Sequence, residues 1–401
     1  MDAGGFFPEQ ADSLYRDRAW FLMDGMVLLG TDAVGLSERE LKYGRAWLLA
    51  QQRRSRLPMT SANVWDKGTK KTLFPPYLLV KKGGVQVGVF SLTSDKVDLG
   101  PSRDSLTLEE PAKAAARVLA ELRKKGAHVV VLLSQLGKVE SEDLVTAVDG
   151  IDVVITGRNV PLIQKGRMIK NTIACYGGEK GQNLGRTLVT LGPDKRMQTG
   201  ENDVFVLGPE VKEKAEILQM MKSFNDAFND KMRKLEKERA AKAQLQTGGE
   251  GQGQKASVDH YVGSEVCQRC HQPEHQQWLT TSHARAWKTL VDINKESTPD
   301  CVPCHVVGYH QPGGFKTADD AAKLGNVQCE NCHGMGTQHE AMPTHSVKVT
   351  EATCRTCHTP STSPAFDFAI FQPHIVHKTP ASLPTLPPNP AKEKMKAGAM
   401  K

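Results

Sequence analysis

The chain has no run of about 18 or more apolar residues, so nothing in it reads as a membrane span. It has no block of like charge either. A net charge of +7 is spread diffusely over 401 residues, which argues against nucleic acid or an anionic membrane surface as partner. The opening Met1-Asp2-Ala3-Gly4-Gly5-Phe6-Phe7-Pro8 lacks the basic and apolar stretches of a secretory leader. Cysteine is almost missing outside a single motif. Of nine cysteines, only Cys175 stands elsewhere, in the run Thr172-Ile173-Ala174-Cys175-Tyr176, where a buried strand residue without chemistry is expected. One spare thiol cannot build a disulfide framework, so an oxidising compartment must be argued from something else.

What is present is that motif, four times in the last third. The copies are Cys267-Gln268-Arg269-Cys270-His271, Cys301-Val302-Pro303-Cys304-His305, Cys329-Glu330-Asn331-Cys332-His333 and Cys354-Arg355-Thr356-Cys357-His358. This spacing attaches c-type haem: two thiols form thioethers with the vinyl groups and the adjacent His ligates iron. Paired cysteines also suit tetrahedral zinc. Zinc gives no reason for a His directly after every second Cys. The composition predicts roughly 0.007 chance copies, so four are no accident. Four haems c are therefore expected, with thioethers at Cys267, Cys270, Cys301, Cys304, Cys329, Cys332, Cys354 and Cys357, and iron at His271, His305, His333 and His358. Their propionates would add roughly −8 of charge and cancel the basicity. Covalent haem of this kind is assembled outside the cytoplasm. A periplasmic or otherwise exported protein is expected, its leader cut off or lying upstream of the present start.

Residues 1–208 alternate strand and helix patterns, which argues a layered α/β domain. A helix is expected over Glu38–Arg54 and another over Glu109–Lys125, with Pro111 near its start and Gly126 as its stop. Tyr77–Val80 and Val85–Phe90 flank a Lys-Lys-Gly-Gly hairpin signal, and His128–Leu133, Asp152–Thr156 and Arg186–Leu191 read as strands. His128 opens one of them and is read as structural. Residues 209–247 switch to a long polar helix whose stripe of Ile217, Met221, Phe224, Phe228, Met232 and Leu235 packs on a neighbouring domain or forms a homodimer through 210–246. A flexible linker follows at 248–258, then a haem domain over 259–380 and a disordered tail over 381–401.

The N-terminal domain resembles the metallophosphoesterase domain of the periplasmic 5′-nucleotidase family. The matching pieces run in order from Asp32–Gly44 through Ser61–Val64, Gly84–Thr93, Leu133–Gly137 and Gly150–Arg158 to Tyr176–Arg186. The resemblance implies a two-metal site, but its ligand positions hold other residues. The family's Gly-Asn-His-Glu motif falls on Ser37-Glu38-Arg39-Glu40, its Ser-His-Leu-Gly ligand on Gln135, and its Gly-His-x-His pair on Arg158 and Val160. The opening Asp-x-Gly-Asp stands as Asp2-Ala3-Gly4-Gly5, and the strand carrying the first Asp-x-His is absent from this chain. Arg stays protonated and Val has no donor atom, so neither replaces a metal-ligating His. An inactive phosphoesterase fold is expected, with Arg39 and Arg158 paired to Glu38 or Glu40.

The C-terminal domain is similar to the tetrahaem cytochromes that accept electrons from hydroxylamine oxidoreductase in ammonia oxidisers, the cytochrome c-554 type. The match includes Tyr261-Val262-Gly263, Trp278, Thr281–Ala286, Gly313–Phe315, Val327–Gly334, Ser363–Asp367 and Ile375–His377. That family's fold is mostly helical, with haems as its core, which suits about 30 residues per haem. The resemblance implies His283, His339 and His377 as distal iron ligands, with His275, His310, His345 and His374 as spares. It also implies one haem with an open position, assigned to the second motif at His305, which His310 could close. An electron carrier with protein redox partners is expected. The alternatives are an open-haem enzyme acting on nitric oxide or hydroxylamine, and a working nucleotidase.

Overall fold

The computed structural model describes residues 1–179, 181–208, 210–247, 259–341, 348–360, 362–363 and 365–377. The expected linker at 248–258, the tail at 381–401 and His345 lie outside the described residues. The chain divides into two compact units, Met1–Glu213 and Lys214–Lys401.

A six-stranded sheet organises the first unit. Its strands are β1 (Leu78–Lys82), β2 (Val85–Thr93), β3 (Val129–Gln135), β4 (Val153–Thr156), β5 (Arg167–Ile169) and β6 (Thr172–Tyr176), in spatial order β1-β2-β3-β4-β6-β5. Gly83 and Gly84 both take positive φ at the β1–β2 hairpin, which the tight turn requires. Strands β2, β3, β4 and β6 run parallel. Helices α1 (Pro111–Lys124) and α2 (Lys138–Ala147) make the crossovers on either side of β3. All seven residues of β3 are buried, as a strand covered on both faces must be. Alternate side chains go opposite ways. Val130 and Leu132 pack with Ala115, Val118 and Leu122 of α1. Val129, Val131 and Leu133 pack with Val189, Leu191 and Met197 of a hairpin formed by β7 (Asn183–Leu191) and β8 (Met197–Val206). Each such burial is worth about 1.5–3 kcal/mol. His128 accepts a hydrogen bond on Nδ1 from the Gln86 N–H at 2.9 Å, just ahead of β3 and beside β2.

The helix expected over Glu38–Arg54 is instead two, Glu38–Leu41 and Arg45–Ser55. Gly44 between them has φ 87°, a conformation glycine adopts cheaply and which ends one helix so that the next can turn away. A further helix, Ser13–Leu28, is capped by the Asp12 carboxylate, which accepts from Leu14 N and Tyr15 N.

The second unit opens with α3 (Ala215–Thr247), which begins at Ala215 rather than 210. Phe228 and Met232 of its stripe are buried. Asn229 lies on the same face and donates from Nδ2 to Asn294 O at 2.8 Å and Asn294 Oδ1 at 2.6 Å; Arg233 pairs with Glu296 at 3.0 Å. Beyond α3 the described helices are no longer than eight residues and alternate with single 3-10 turns. The apolar cluster of this unit is small: Leu290, Val302, Val306, Val307, Phe315 and Leu324.

Candidate functional site

Each Cys-x-x-Cys-His copy forms about one helical turn. The N–H of His271 donates to Cys267 O at 2.9 Å, and that of His358 to Cys354 O at 2.9 Å. The third copy is itself the helix Cys329–His333, and the second is a 3-10 turn, Val302–Cys304. Residues i, i+3 and i+4 of a helical turn share one face, so both thiols and the imidazole can address one flat ligand.

Three of the motif histidines face a second histidine. Ring centroids lie 5.9 Å apart for His271 and His339, 6.1 Å for His333 and His377, and 6.2 Å for His283 and His358. Two imidazoles bound trans to one metal, each about 2 Å away through a ring nitrogen, have centroids roughly 6 Å apart. The interplanar angles are 28°, 18° and 47°. Burial, reinforced by the neighbouring His358 and His305, holds His283 below its ordinary pKa, and burial does the same for His358. Both shifts favour the neutral imidazole, the form in which a histidine can bind a metal.

His305 is placed differently. Its Nδ1 lies 2.6 Å from Ala286 O, the contact that fixes the tautomer and leaves Nε2 to a metal. Among the described residues, no imidazole is stacked against it as in the other three pairs. His310 has a φ of 56°, lies with its ring 4.0 Å from that of Tyr309, and its N–H donates to Phe315 O at 2.8 Å. His275 is buried against Trp278 with ring centroids 5.3 Å apart. His374 ends a short 3-10 turn, Gln372–His374.

The motifs also meet one another. The thiols of Cys267 and Cys329 are close enough to shift each other's ionisation, as are those of Cys304 and Cys357. Cys332 is close enough to feel Cys354 and Cys357. The contacts therefore run in the order first, third, fourth, second. The third motif is the hub. Asn331 Nδ2 donates to Val306 O at 2.9 Å, and Gln328 Oε1 accepts from Ser264 N at 2.6 Å. The side chain of Gln328 also donates to Gly325 O at 2.7 Å, and Trp278 Nε1 donates to Val327 O at 2.8 Å. Sequence reasoning passed over Glu330, Gln328 and Asn331, whose only signal was being polar within and beside a motif.

This donor set fits haem. Thiols and imidazole share a face, imidazoles come in pairs, and little apolar core stands between them. Among the described residues no three His, Cys, Asp or Glu side chains converge as a metal-ion site, the arrangement tetrahedral zinc would need.

In the first unit, the positions corresponding to phosphoesterase ligands are engaged by other parts of the protein. Gln135 is buried, and its Nε2 donates to Ala3 O at 3.1 Å and Gly4 O at 2.8 Å. The packing is close enough that a Cβ at Gly157 would lie 2.5 Å from Gln135 Nε2 and 2.6 Å from Ala3 Cβ. Arg158 pairs with Glu38 at 3.2 Å, as expected, and Val160 is buried in the core. Arg39 pairs with Glu9 at 3.2 Å rather than with Glu38 or Glu40. Glu40 is otherwise engaged: fully buried, it accepts from Ser37 N, Ser37 Oγ, Gly5 N and Phe7 N. Burial pushes its pKa up against the pull of those donors.

Comparison with known proteins divides the chain in the same way. The family model for cytochrome c554 and c-prime matches residues 266–334. Cytochrome c-554 of Nitrosomonas europaea is 35% identical over 100 residues, covering 21% of this chain and 43% of that protein. A 5′-nucleotidase of Vibrio cholerae is 31% identical over 121 residues, covering 29% of this chain and 22% of that protein. The chain thus spans less than half the length of either relative. A solved sulfate thiohydrolase SoxB of Thermus thermophilus aligns with a TM-score of 0.50 at 20% identity, over 55% of this chain and 42% of that one, which shows a shared fold. The N-terminal part is a metallophosphoesterase-like α/β unit similar to 5′-nucleotidases, and the C-terminal part is similar to the cytochrome c554 family.

Proposed function

We propose that this protein is an exported multihaem cytochrome that carries electrons between redox partner proteins through four covalent haems. The three imidazole pairs near 6 Å carry this reading, because each joins a motif histidine to a histidine outside the motifs. His271 with His339, His333 with His377 and His358 with His283 would hold three irons from both sides. His305 would hold the fourth from one side. Bound haem supplies one-electron redox chemistry. The protein's residues would hold the haems, exclude water from them and set each potential. The phosphoesterase-like unit would act as scaffold or docking module, its ligand positions taken by Gln135, the Arg158–Glu38 pair and Val160. No helix among the described residues is long and apolar enough to cross a membrane.

His305 favours a second reading, a redox enzyme that binds a small nitrogen species at the open haem. Adding nitric oxide to the reduced protein separates the two. A carrier gives no ligand-bound signal, whereas an open site gives one nitrosyl haem of four by electron paramagnetic resonance. The carrier reading fails altogether if intact mass shows zinc, or fewer than four haems in matured protein.

A further inference from the structure

Glu330, inside the third motif, is only 4% exposed, and its carboxyl group is surrounded by backbone N–H donors. Both oxygens accept from backbone. Oε1 takes Val262 N at 2.9 Å and Gly336 N at 2.8 Å; Oε2 takes Gly263 N at 2.8 Å and Val262 N at 3.1 Å. Every contact is an N–H donor, which suits a carboxylate with its acceptor-only oxygens. Two of the donors, Val262 and Gly263, lie just ahead of the helix Ser264–Gln268 that carries Cys267, the third, Gly336, opens the helix Gly336–Ala341 that follows the third motif, and Cys267 in turn neighbours Cys329. One buried anion therefore ties the first motif to the third where the two come closest.

We propose that Glu330 is a positioning residue for the haems of the first and third motifs, fixing their relative placement and biasing both with a buried negative charge. The proposal rests on the haem reading above. A fixed anion in a poorly screened interior favours the oxidised, more positive iron, so it lowers the potentials of nearby haems and leaves distant ones alone. The first and third motifs lie beside it. The second and fourth meet at the other thiol pair, Cys304 and Cys357.

The test uses full-length holo-protein with haems counted by intact mass, which checks the haem reading before Glu330 is touched. The variants H339M and H377M assign the two haems, since methionine ligation raises a midpoint. In E330Q those two midpoints rise, by up to a tenfold change in oxidised-to-reduced ratio or about 59 mV for one electron. The other two stay, and E330D, which keeps the charge, restores wild-type values. If E330Q matures poorly, peptide mass then shows haem missing from the first and third motifs together. Unmoved midpoints, an equal shift in all four, or haem loss confined to the third motif or spread over every motif would overturn the proposal.

Discussion

The two units solve the problem of a stable interior in opposite ways. In Met1–Glu213 the sheet buries both faces with its own aliphatic side chains, and strand β3 contributes seven consecutive buried residues. In the second unit, beyond α3, one cluster of six apolar residues sits among helices of eight residues or fewer, with imidazole and aromatic rings packed against one another. A fold whose core is independent of its active site can lose that site and persist. A fold whose core is its cofactor cannot. On the proposed reading, the first unit keeps its fold with Gln135, Arg158 and Val160 at the ligand positions, while the second depends on its four Cys-x-x-Cys-His motifs.

Removing thiols should break the comparison most severely. In C329A/C332A the hub motif loses its attachment, and the second unit should lose a haem and its ordered hydrogen exchange while the first keeps its protection. The reciprocal variant L132A deletes a fully buried side chain and should cost the first unit about 2–5 kcal/mol with no change in the haem spectrum. If either variant unfolds both units equally, the two interiors are not independent.

Axial substitution acts on one iron at a time. Replacing His283, His339 or His377 by Ala should convert one low-spin haem of four to high spin, seen by electron paramagnetic resonance, because a strong-field donor is lost. Loss of His283 should perturb the haem of His358, not that of the nearer-in-sequence His271 or His305. If no variant changes spin state, His275, His310, His345 and His374 become the candidates.

Much of this was legible in the residues themselves. The β1–β2 hairpin announced itself by paired glycines, and α1 by Pro111 and Gly126. Resemblance singled out His283, His339 and His377, but not which motif histidine each would face, since His339 reaches back 68 positions to His271 and spacing carries no such information. The Glu38–Arg54 pattern hid its break because apolar residues continue past Gly44 in nearly the same period. The Asp12-Ser13 cap was the one signal for the helix Ser13–Leu28. Glu330 was invisible because the sequence does not show that the backbone N–H groups of Val262 and Gly263, 68 and 67 positions away, would meet it.

Acid should weaken the two units in different ranges. Burial, then His358 and His305, depress the pKa of His283 below 6.5, and burial depresses that of His358. A base whose folded pKa is lowered stabilises fully above its unfolded value, and that stability is lost as pH falls from about 6.5. Iron ligation works in the same direction. In the first unit, burial opposes the charge on Glu109, but hydrogen bonds from Arg117 and Trp65 outweigh it and leave the pKa below 4.5. The same holds for Glu142 with Tyr176 and Lys138. Their contribution is present above 4.5 and lost only below it. Stepwise acidification followed by hydrogen exchange should open the second unit first; the reverse order would contradict these assignments.

The smallest effect belongs to the Arg158–Glu38 pair. Both side chains are partly exposed, at 29% and 23%, and their contact is single at 3.2 Å. Such a pair contributes about 0–1 kcal/mol. Glu38 Oε2 is already buried without a partner, so R158A exposes little new unsatisfied polarity and lets water reach the other oxygen. The first unit should therefore melt within a few degrees of wild type. Neither wild type nor R158A should bind a pair of divalent cations or release phosphate from a nucleotide, since Arg158 pairs with a carboxylate and Gln135 is spent on Ala3 and Gly4. Calorimetry with manganese and a phosphate-release assay on both proteins check this. Metal-dependent release by wild type that disappears in R158A would show that the guanidinium serves a working site, and the contrast between a chemically silent unit and a redox-active one would fall.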